Sequence, residues 1–411
     1  MRILFVVHQF MPEFATGTER VTLNLAKSAQ RDGNEVEVVT RSLCGPSRWS
    51  RVSEHGFRFA VVEGIPVHAL PGDETDSSAQ LGIQDDEQLA NSFARFLDDR
   101  GNYDVVHVTH PMRMVDAIET IRARNIPYVV TLTDFFFLCY RINLVRLTGR
   151  SCLGPAEGQA CEKHCRLADP AKLLARQGRM KAILCDAFDV VACSTFVAGR
   201  FESEMPRLPI RVIEHGIDLL RFGRPSKKSK TGPVVFGYVG TLSDVKGVTM
   251  LAEGFAACAP SNARLELIGP THGNGQVRDR LEDLAKGDQR IHITSEVASE
   301  QVPAFLATLD VLCLPSRVPE TFSLTLHEGF AAGVPCLVSD LGYPPEVVRR
   351  NHCGQVLPSG EAGAWGEAIA RIAMNPSVLE AWSSNVPVPT RVEEEGFLYS
   401  QLYQAVTLSR L

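Results

Sequence analysis

The sequence has no apolar run approaching the ~18 residues of a membrane span. Its opening, MRILFVVHQF, is too short in apolar length for a signal peptide and passes straight into a strand pattern, so a cytoplasmic location is expected. There is no excess of base: 42 Lys and Arg stand against 48 Asp and Glu, a net charge of −6, which argues against a nucleic-acid partner. No Gly-x-Gly-x-x-Gly follows any strand pattern, which disfavours a Rossmann oxidoreductase. Repeats and low-complexity segments are missing too. A disulfide framework is not indicated, because the 11 cysteines are odd in number and scattered through both halves, as reduced thiols are.

What is present is length and alternation. The 411 residues, 45% of them apolar, are enough for two domains with sizeable cores. Strand and helix patterns alternate from residue 1 to about 224, and again from 233 to about 390. Between them Arg224 to Pro233 (RPSKKSKTGP) reads as an exposed, extended linker.

The densest chemistry lies in Pro315 to Asp340, PSRVPETFSLTLHEGFAAGVPCLVSD. Leu309 to Leu314 suits a strand buried on both faces, and Val334 to Ser339 reads as the next one. Between them a helical pattern runs through Leu324, Leu326, His327, Phe330 and Ala331 and stops at Gly333. The amides of Thr321, Phe322, Ser323 and Leu324 are expected to open that helix and to bind an anion such as a diphosphate. Glu320 and Glu328 flank the same place, and an ionised carboxylate accepts hydrogen bonds from a pair of hydroxyls. A glutamate at a helix start also favours the dipole with no ligand involved. Val234 to Leu251 (VVFGYVGTLSDVKGVTML) reads as strand, glycine turn and helix, and Lys246 there can reach a phosphate as a point charge.

These residues closely resemble the retaining family 4 glycosyltransferases of the GT-B fold, whose signature is a Glu-x7-Glu motif. The resemblance runs from about residue 1 to about residue 360. It implies an α/β chain of GT-B architecture, two Rossmann-like domains facing each other across a cleft. Residues 1–224, completed by a C-terminal helix in 391–411, form the acceptor domain; residues 233–390 bind the nucleotide sugar. It further implies a hexosyltransferase that uses a UDP or GDP sugar and a hydroxyl acceptor, with retention, in polysaccharide biosynthesis. No cofactor or catalytic metal is implied, because the nucleotide sugar is a co-substrate.

By this resemblance Glu320 faces the donor sugar, Glu328 the ribose, and Lys246 the diphosphate. Gly240, Thr241, Gly269, Val297 and the amides of Thr321 to Leu324 complete the donor site. Thr241 stands where the family usually has arginine, which leaves Lys246 and the amides with more of the charge. The base is read near Ile291 to Val297, largely through the main chain. In the first half, Gly17 in a loop before a helix is expected to let acceptor or phosphate approach the backbone. His110, at the end of the strand pattern DVVHVTH, corresponds to a histidine that contacts the donor sugar; a histidine satisfied by backbone partners is the other reading. Glu320, Lys246 and His110 are the candidate catalytic residues.

Two further features remain open. Cys139, Cys152, Cys161 and Cys165 fall in one irregular insert, with twelve, eight and three residues between them. Four thiolates can hold a structural zinc, although this spacing lacks two tight knuckles. Arg141 to Lys181 is rich in base (Arg141, Arg146, Arg150, Lys163, Arg166, Lys172, Arg176, Arg179, Lys181), which fits a solvated face or an anionic membrane surface with a lipid-linked acceptor. Two other functions stay in view: a catalytically silent nucleotide-sugar-binding protein, because Thr16, Thr133 and Thr241 depart from the family pattern, and a nucleotide-sugar epimerase of the same architecture.

Overall fold

The structure, a computed structural model, describes residues 1–53, 56–71, 81–165, 169–223, 232–271, 275–294 and 297–409. The chain separates into two units, Met1–Gly216 with Val392–Leu411, and Ile217–Arg391. Most of the linker segment, 224–231, lies outside the described residues.

The first unit is built on one sheet. Its strands are β1 (Arg2–Val6), β2 (Glu35–Arg41), β3 (Arg51–Val52), β4 (Arg58–Val62), β5 (Ile65–Leu70), β6 (Val105–Val108), β7 (Tyr128–Leu132), β8 (Asp189–Ala192) and β9 (Arg211–Val212). They lie in the order β3-β4-β5-β2-β1-β6-β7-β8-β9. β1 pairs in parallel with β2 and β6, setting Phe5 opposite Val38 on one side and His107 on the other. β6 and β7 are wholly buried and β1 nearly so, as strands covered by helices on both faces are. The β3–β5 edge is antiparallel and interrupts the strand–helix alternation read from the sequence. Glu63 and Gly64, both at positive φ, make the tight turn that joins β4 to β5.

The helix Gly17–Arg31 follows β1 and buries Val21, Leu25, Ala26 and Ala29. The final helix, Val392–Leu408, packs against it and sends two tyrosines under the sheet. Buried His107 meets the Tyr403 hydroxyl through Nδ1 at 2.7 Å and Thr131 Oγ1 through Nε2 at 2.7 Å. Burial pushes His107 down to about 3, so the ring is neutral and its two contacts are those of a core histidine. Glu395 of the same helix reaches His215 Nδ1 at 2.9 Å and accepts from the Gly216 amide at 2.8 Å. Burial opposes charge on His215, but Cys193 and Glu395 hold its proton and raise it to about 10.

The second unit is an all-parallel sheet of β10 (Val234–Val239), β11 (Ala263–Ile268), β12 (Ile291–Thr294), β13 (Val311–Leu314), β14 (Cys336–Ser339) and β15 (Gly354–Leu357), in the order β12-β11-β10-β13-β14-β15. Phe236, Leu251, Leu265, Leu337, Trp365 and Ile369 form its sealed core. Each such side chain contributes roughly 1.5–3 kcal/mol on burial. The chain winds outward from β10 through β11 and β12, then returns to lay β13 on the opposite side of β10. β10 and β13 therefore stand at the reversal of strand order, and ligands of such sheets bind in the crevice outside the carboxyl ends of the strands there. β1 and β6 make the corresponding reversal in the first unit.

Candidate active site

The second unit's crevice is where Lys246 and Glu320 meet. Lys246 ends a short 3-10 turn, Asp244–Lys246, after β10, and Glu320 lies in the loop after β13. Lys246 Nζ donates to Glu320 Oε1 at 2.7 Å, and Ser316 Oγ donates to the same oxygen at 2.5 Å. Burial works against the charge on Glu320, but Lys246 and Ser316 hold its carboxyl below the usual range. The pairing needs the two loops to touch, and Gly247 permits it: a Cβ there would stand 2.0 Å from the Pro315 carbonyl oxygen, at φ +74°. The Arg317 amide donates to the Val245 carbonyl at 2.8 Å and closes the seam.

The helix after Glu320 runs Leu324–Ala331, one turn shorter at its start than the four amides from Thr321 imply. The reason is local. Glu320 is held extended by a bridge to Gly342 and by the Tyr343 amide, which donates to its carbonyl at 2.9 Å. Ser323 then turns through a left-handed conformation, φ 68°, and caps the helix by accepting from the Leu326 amide. Thr321 and Phe322 thus belong to the loop, and the helix's own free amides begin at Leu324. Phe322 stacks on His327 with ring centres 3.9 Å apart, which anchors the loop to the helix. Glu328 stands half-buried one turn into that helix.

Gly269 follows β11, and the close approach it permits is to protein: a Cβ would lie 1.8 Å from the Gly240 carbonyl oxygen. Gly240 and Gly269 therefore let the ends of β10 and β11 come together. Thr241 is half-buried, its carbonyl accepting from the Tyr238 hydroxyl at 2.9 Å. Val297 is half-buried beyond β12; residues 295 and 296 of the expected base-reading segment lie outside the described residues.

The first unit carries a second polar cluster at its own strand reversal. Gly17 is the first residue of its helix, as the sequence indicates, with Thr16 as the cap; the Thr16 amide donates to Glu19 Oε2 at 2.6 Å. His110 is only 3% exposed, and both ring nitrogens are engaged. The Met112 amide donates to Nδ1 at 3.2 Å, so Nε2 carries the ring hydrogen and gives it to Asp134 Oδ2 at 2.5 Å. His8, after β1, lies against His110 with ring centres 3.9 Å apart and the rings tilted by 34°, and its Nε2 is 3.8 Å from Glu19 Oε1. Burial, then the nearby His110 and Arg113, push His8 well below its ordinary value, so it is neutral. Its Nδ1 and the Glu19 Oε1 are buried without a partner among the described residues. His8 and Glu19 were not singled out from the sequence; the available signal was that His8 ends a buried strand just before the glycine loop.

Among the described residues, no group of three or more His, Cys, Asp or Glu side chains is arranged so that it could hold a metal ion. No helix among them is long and apolar enough to cross a membrane. The basic segment presents less charge to solvent than its composition implies. Arg176 is buried, and Arg179 is spent on Asp85, Asp116 and Glu119 at 3.1, 2.6 and 3.3 Å. Arg166 lies outside the described residues, while Arg150, Lys163, Lys172 and Lys181 face outward.

Comparison with known proteins accounts for both halves. The family described as Glycosyltransferase Family 4 matches residues 15–221, half of the chain, and Glycosyl transferases group 1 matches 221–387. D-rhamnosyltransferase WbpZ of Pseudomonas aeruginosa is 22% identical over 396 residues, covering 94% of this chain and 90% of that protein. MMP alpha-(1->4)-mannosyltransferase of Mycolicibacterium hassiacum is 28% identical over 143 residues, 34% of each chain. D-inositol 3-phosphate glycosyltransferase of Saccharomonospora viridis is 27% identical over 187 residues, 41% of this chain and 43% of that protein. The chain thus spans less than half the length of these last two relatives. Sucrose-phosphate synthase from Thermosynechococcus elongatus superimposes with a TM-score of 0.72 at 18% identity, covering 99% of both chains. Anabaena HepE in complex with UDP and glucose gives 0.70 at 18% identity, covering 98% of this chain and 100% of its own. These likenesses give the fold, two Rossmann-like units of GT-B architecture. With both halves matched in chain order, the protein belongs to the family 4, group 1 glycosyltransferases.

Proposed function

We propose that this protein is a hexosyltransferase that moves a sugar from a nucleoside-diphosphate sugar to a hydroxyl acceptor, with retention of anomeric configuration and without a metal. The observation that carries this reading is the Lys246–Glu320 pair at the strand reversal of the second unit. A cation for the diphosphate and a carboxylate for sugar hydroxyls stand side by side there, and Glu328 follows on the adjoining helix for the ribose diol. HepE, of the same fold, binds UDP and glucose.

In the reaction, the bond between the anomeric carbon and the diphosphate oxygen breaks while the acceptor oxygen bonds to that carbon on the same face. The acceptor proton passes to the departing diphosphate. Lys246 and the Leu324 end of the helix stabilise the charge that grows there. Glu320 is cast as a holder of hydroxyls and not as a nucleophile, because its Oε1 already receives both Lys246 and Ser316. We assign acceptor binding to the first unit. There Asp134 and the Met112 amide fix His110, and Gly17 opens the adjoining helix. A lipid-linked acceptor at the inner face of a membrane accords with outward Arg150, Lys163 and Lys172 among the exposed Leu147, Leu153 and Leu174. Flotation with anionic vesicles at low and high salt tests that contact.

The deciding experiment is a panel of UDP and GDP sugars with and without hydroxyl acceptors, scored by nucleoside diphosphate released and by the anomeric coupling of the product. Release that depends on acceptor, with an unchanged anomer, is expected. Donor binding with no turnover on any acceptor makes the protein a silent binder. Conversion of the donor sugar with no diphosphate freed makes it an epimerase.

A further inference from the structure

Two buried glutamates lie close together in sequence where the chain passes from β1 into the helix Gly17–Arg31, and their surroundings differ. Glu13 is saturated. Ser42 Oγ at 2.5 Å and Trp49 Nε1 at 2.6 Å donate to its Oε1, and the Leu43 and Cys44 amides donate to its Oε2 at 2.8 and 3.1 Å. Glu19, with no exposed surface, is only half satisfied. Its Oε2 accepts from the Thr16 amide at 2.6 Å and from the Thr16 hydroxyl, while Oε1 has no hydrogen bond among the described residues. His8 Nε2 stands 3.8 Å from that oxygen, beyond hydrogen-bond reach.

His8 is 6% exposed, and its Nδ1 also lacks a partner among the described residues. Burial, then His110 and Arg113, keep the ring neutral, so it carries one hydrogen. A carboxylate only accepts, which puts that hydrogen on Nε2, toward Glu19, and leaves Nδ1 a bare lone pair. The protein's own hydroxyls at these strand ends are already spent. Thr22 Oγ1 donates to the Thr18 carbonyl at 2.8 Å and lies 2.8 Å from Thr109 Oγ1; Thr109 gives its hydrogen to the Val6 carbonyl at 3.3 Å, and Thr133 to the Thr109 carbonyl at 3.0 Å. Two buried acceptors are thus left asking for donors, a rare condition in a folded chain. They sit at the strand reversal of the first unit: His8 is two residues past β1 and His110 two past β6. Thr16, which bonds Glu19, is exposed, so the pair lies one side chain below the loop that leads into Gly17.

We propose that His8 and Glu19 hold the acceptor by its hydroxyls, one donating to His8 Nδ1 and a second to Glu19 Oε1. This rests on the assignment of acceptor binding to the first unit, and it adds the chemistry that the bound end must offer. Two bare acceptors side by side take a pair of hydroxyls, as a sugar presents them. They repel a phosphate or carboxylate, which brings lone pairs and a like charge. The two hydroxyls anchor the acceptor and do not react, because the reacting hydroxyl gives its proton to the departing diphosphate. Such contacts are made equally in the bound and transition states, so they govern the acceptor KM more than kcat. His110, locked by Asp134 and the Met112 amide, serves as the plate against which the His8 ring lies.

The test has two arms on the full-length protein. Nitrogen-15 NMR of histidine-labelled protein, with His8 assigned by its loss in His8→Phe, should show the hydrogen on Nε2 and a bare Nδ1. The Nδ1 resonance should move when methyl hexopyranosides are titrated in. Hydrogen on Nδ1, or no movement with any of these glycosides (a buried water only), overturns the proposal. In the second arm, with the acceptor identified by diphosphate release, His8→Phe keeps a ring against His110 and should raise the acceptor KM about tenfold, with little change in kcat or donor KM. His8→Asn, which places a carbonyl oxygen near the position of Nδ1, should recover part of that loss, and Glu19→Gln should raise the acceptor KM as well. An acceptor KM within about twofold of wild type in His8→Phe overturns the proposal. Should His8→Phe fail to fold, His8→Asn supplies the assignment, and Glu19→Gln is judged by the same twofold limit. Should the wild type release no diphosphate with any acceptor, the transfer reading fails by itself, and the NMR arm alone decides whether His8 and Glu19 bind hydroxyls.

Discussion

Replacing Lys246 with methionine keeps most of the side-chain volume and removes the charge opposite Glu320. At 2.7 Å the pair's Coulomb attraction is ~6 kcal/mol with an effective dielectric of ~20. The two side chains are 37% and 19% exposed, so solvent screening reduces this to roughly 1–3 kcal/mol. In Lys246→Met the Glu320 carboxylate keeps only Ser316, and a diphosphate entering the crevice meets one cation fewer and one bare anion more. With ~1.4 kcal/mol per factor of ten, kcat/KM for the donor should fall about 100-fold, with part of the loss in kcat. Glu320→Gln has its own cost, through the sugar hydroxyls. In the Lys246→Met background, however, it also removes the uncompensated anion. The double variant should therefore be better than the product of the two single losses by at least ~1 kcal/mol of coupling, measured from initial rates over a range of donor concentrations. A coupling below about 0.5 kcal/mol would refute the view that Lys246 and Glu320 act as one charged unit.

Glu328→Ala should raise the donor KM about tenfold with little change in kcat, since a ribose contact is made equally in bound and transition states; steady-state kinetics separate the two. Gly247→Ala forces a Cβ to within 2.0 Å of the Pro315 oxygen, so calorimetry should show a loss of about 1–3 kcal/mol and donor binding should weaken as Lys246 is displaced. The pH dependence of the first unit should report His215. Its value is raised from 6.5 to about 10, so its stabilisation is complete below pH 6.5 and is lost as pH rises through 10. Glu395→Gln should flatten that slope while lowering the melting temperature near pH 6.5, as expected when a buried pair worth about 3–5 kcal/mol is broken. Equal slopes in the two proteins would place the titration elsewhere.

Much of the fold was legible because parallel strands covered on both faces must be apolar throughout. Runs such as RILFVV and LDVLCL announce themselves for that reason. The antiparallel edge was harder. Its hairpin turns on Glu63-Gly64, and glutamate is not a residue that signals a turn with two positive φ values. The helix near Glu320 starts three residues later than the sequence pattern indicates, since composition cannot show that Glu320 is held extended against Gly342 and that Ser323 takes a left-handed turn.

Site residues were legible as types at strand ends, and their partners were not. Lys246 and Glu320 are 74 positions apart, and His215 and Glu395 are 180 apart. A sequence motif records that a cation and a carboxylate exist, but whether they face a ligand or each other is settled by which strands lie side by side. The histidines show the consequence most clearly. His107 and His110 alternate along one strand pattern; one is locked under the sheet by Tyr403 and Thr131, and the other is held by Asp134 and the Met112 amide. In that cluster the ring nitrogen without a partner among the described residues is Nδ1 of His8, 102 residues before His110 and brought alongside because β1 pairs with β6. A histidine with both nitrogens committed can orient a neighbour, but it has no hydrogen bond left for a sugar unless Asp134 or the Met112 amide releases it. Substitution of Asp134 by asparagine should therefore alter acceptor-dependent turnover through His110. If turnover is unchanged, the cluster serves to pack the strand ends and the acceptor is held by other residues.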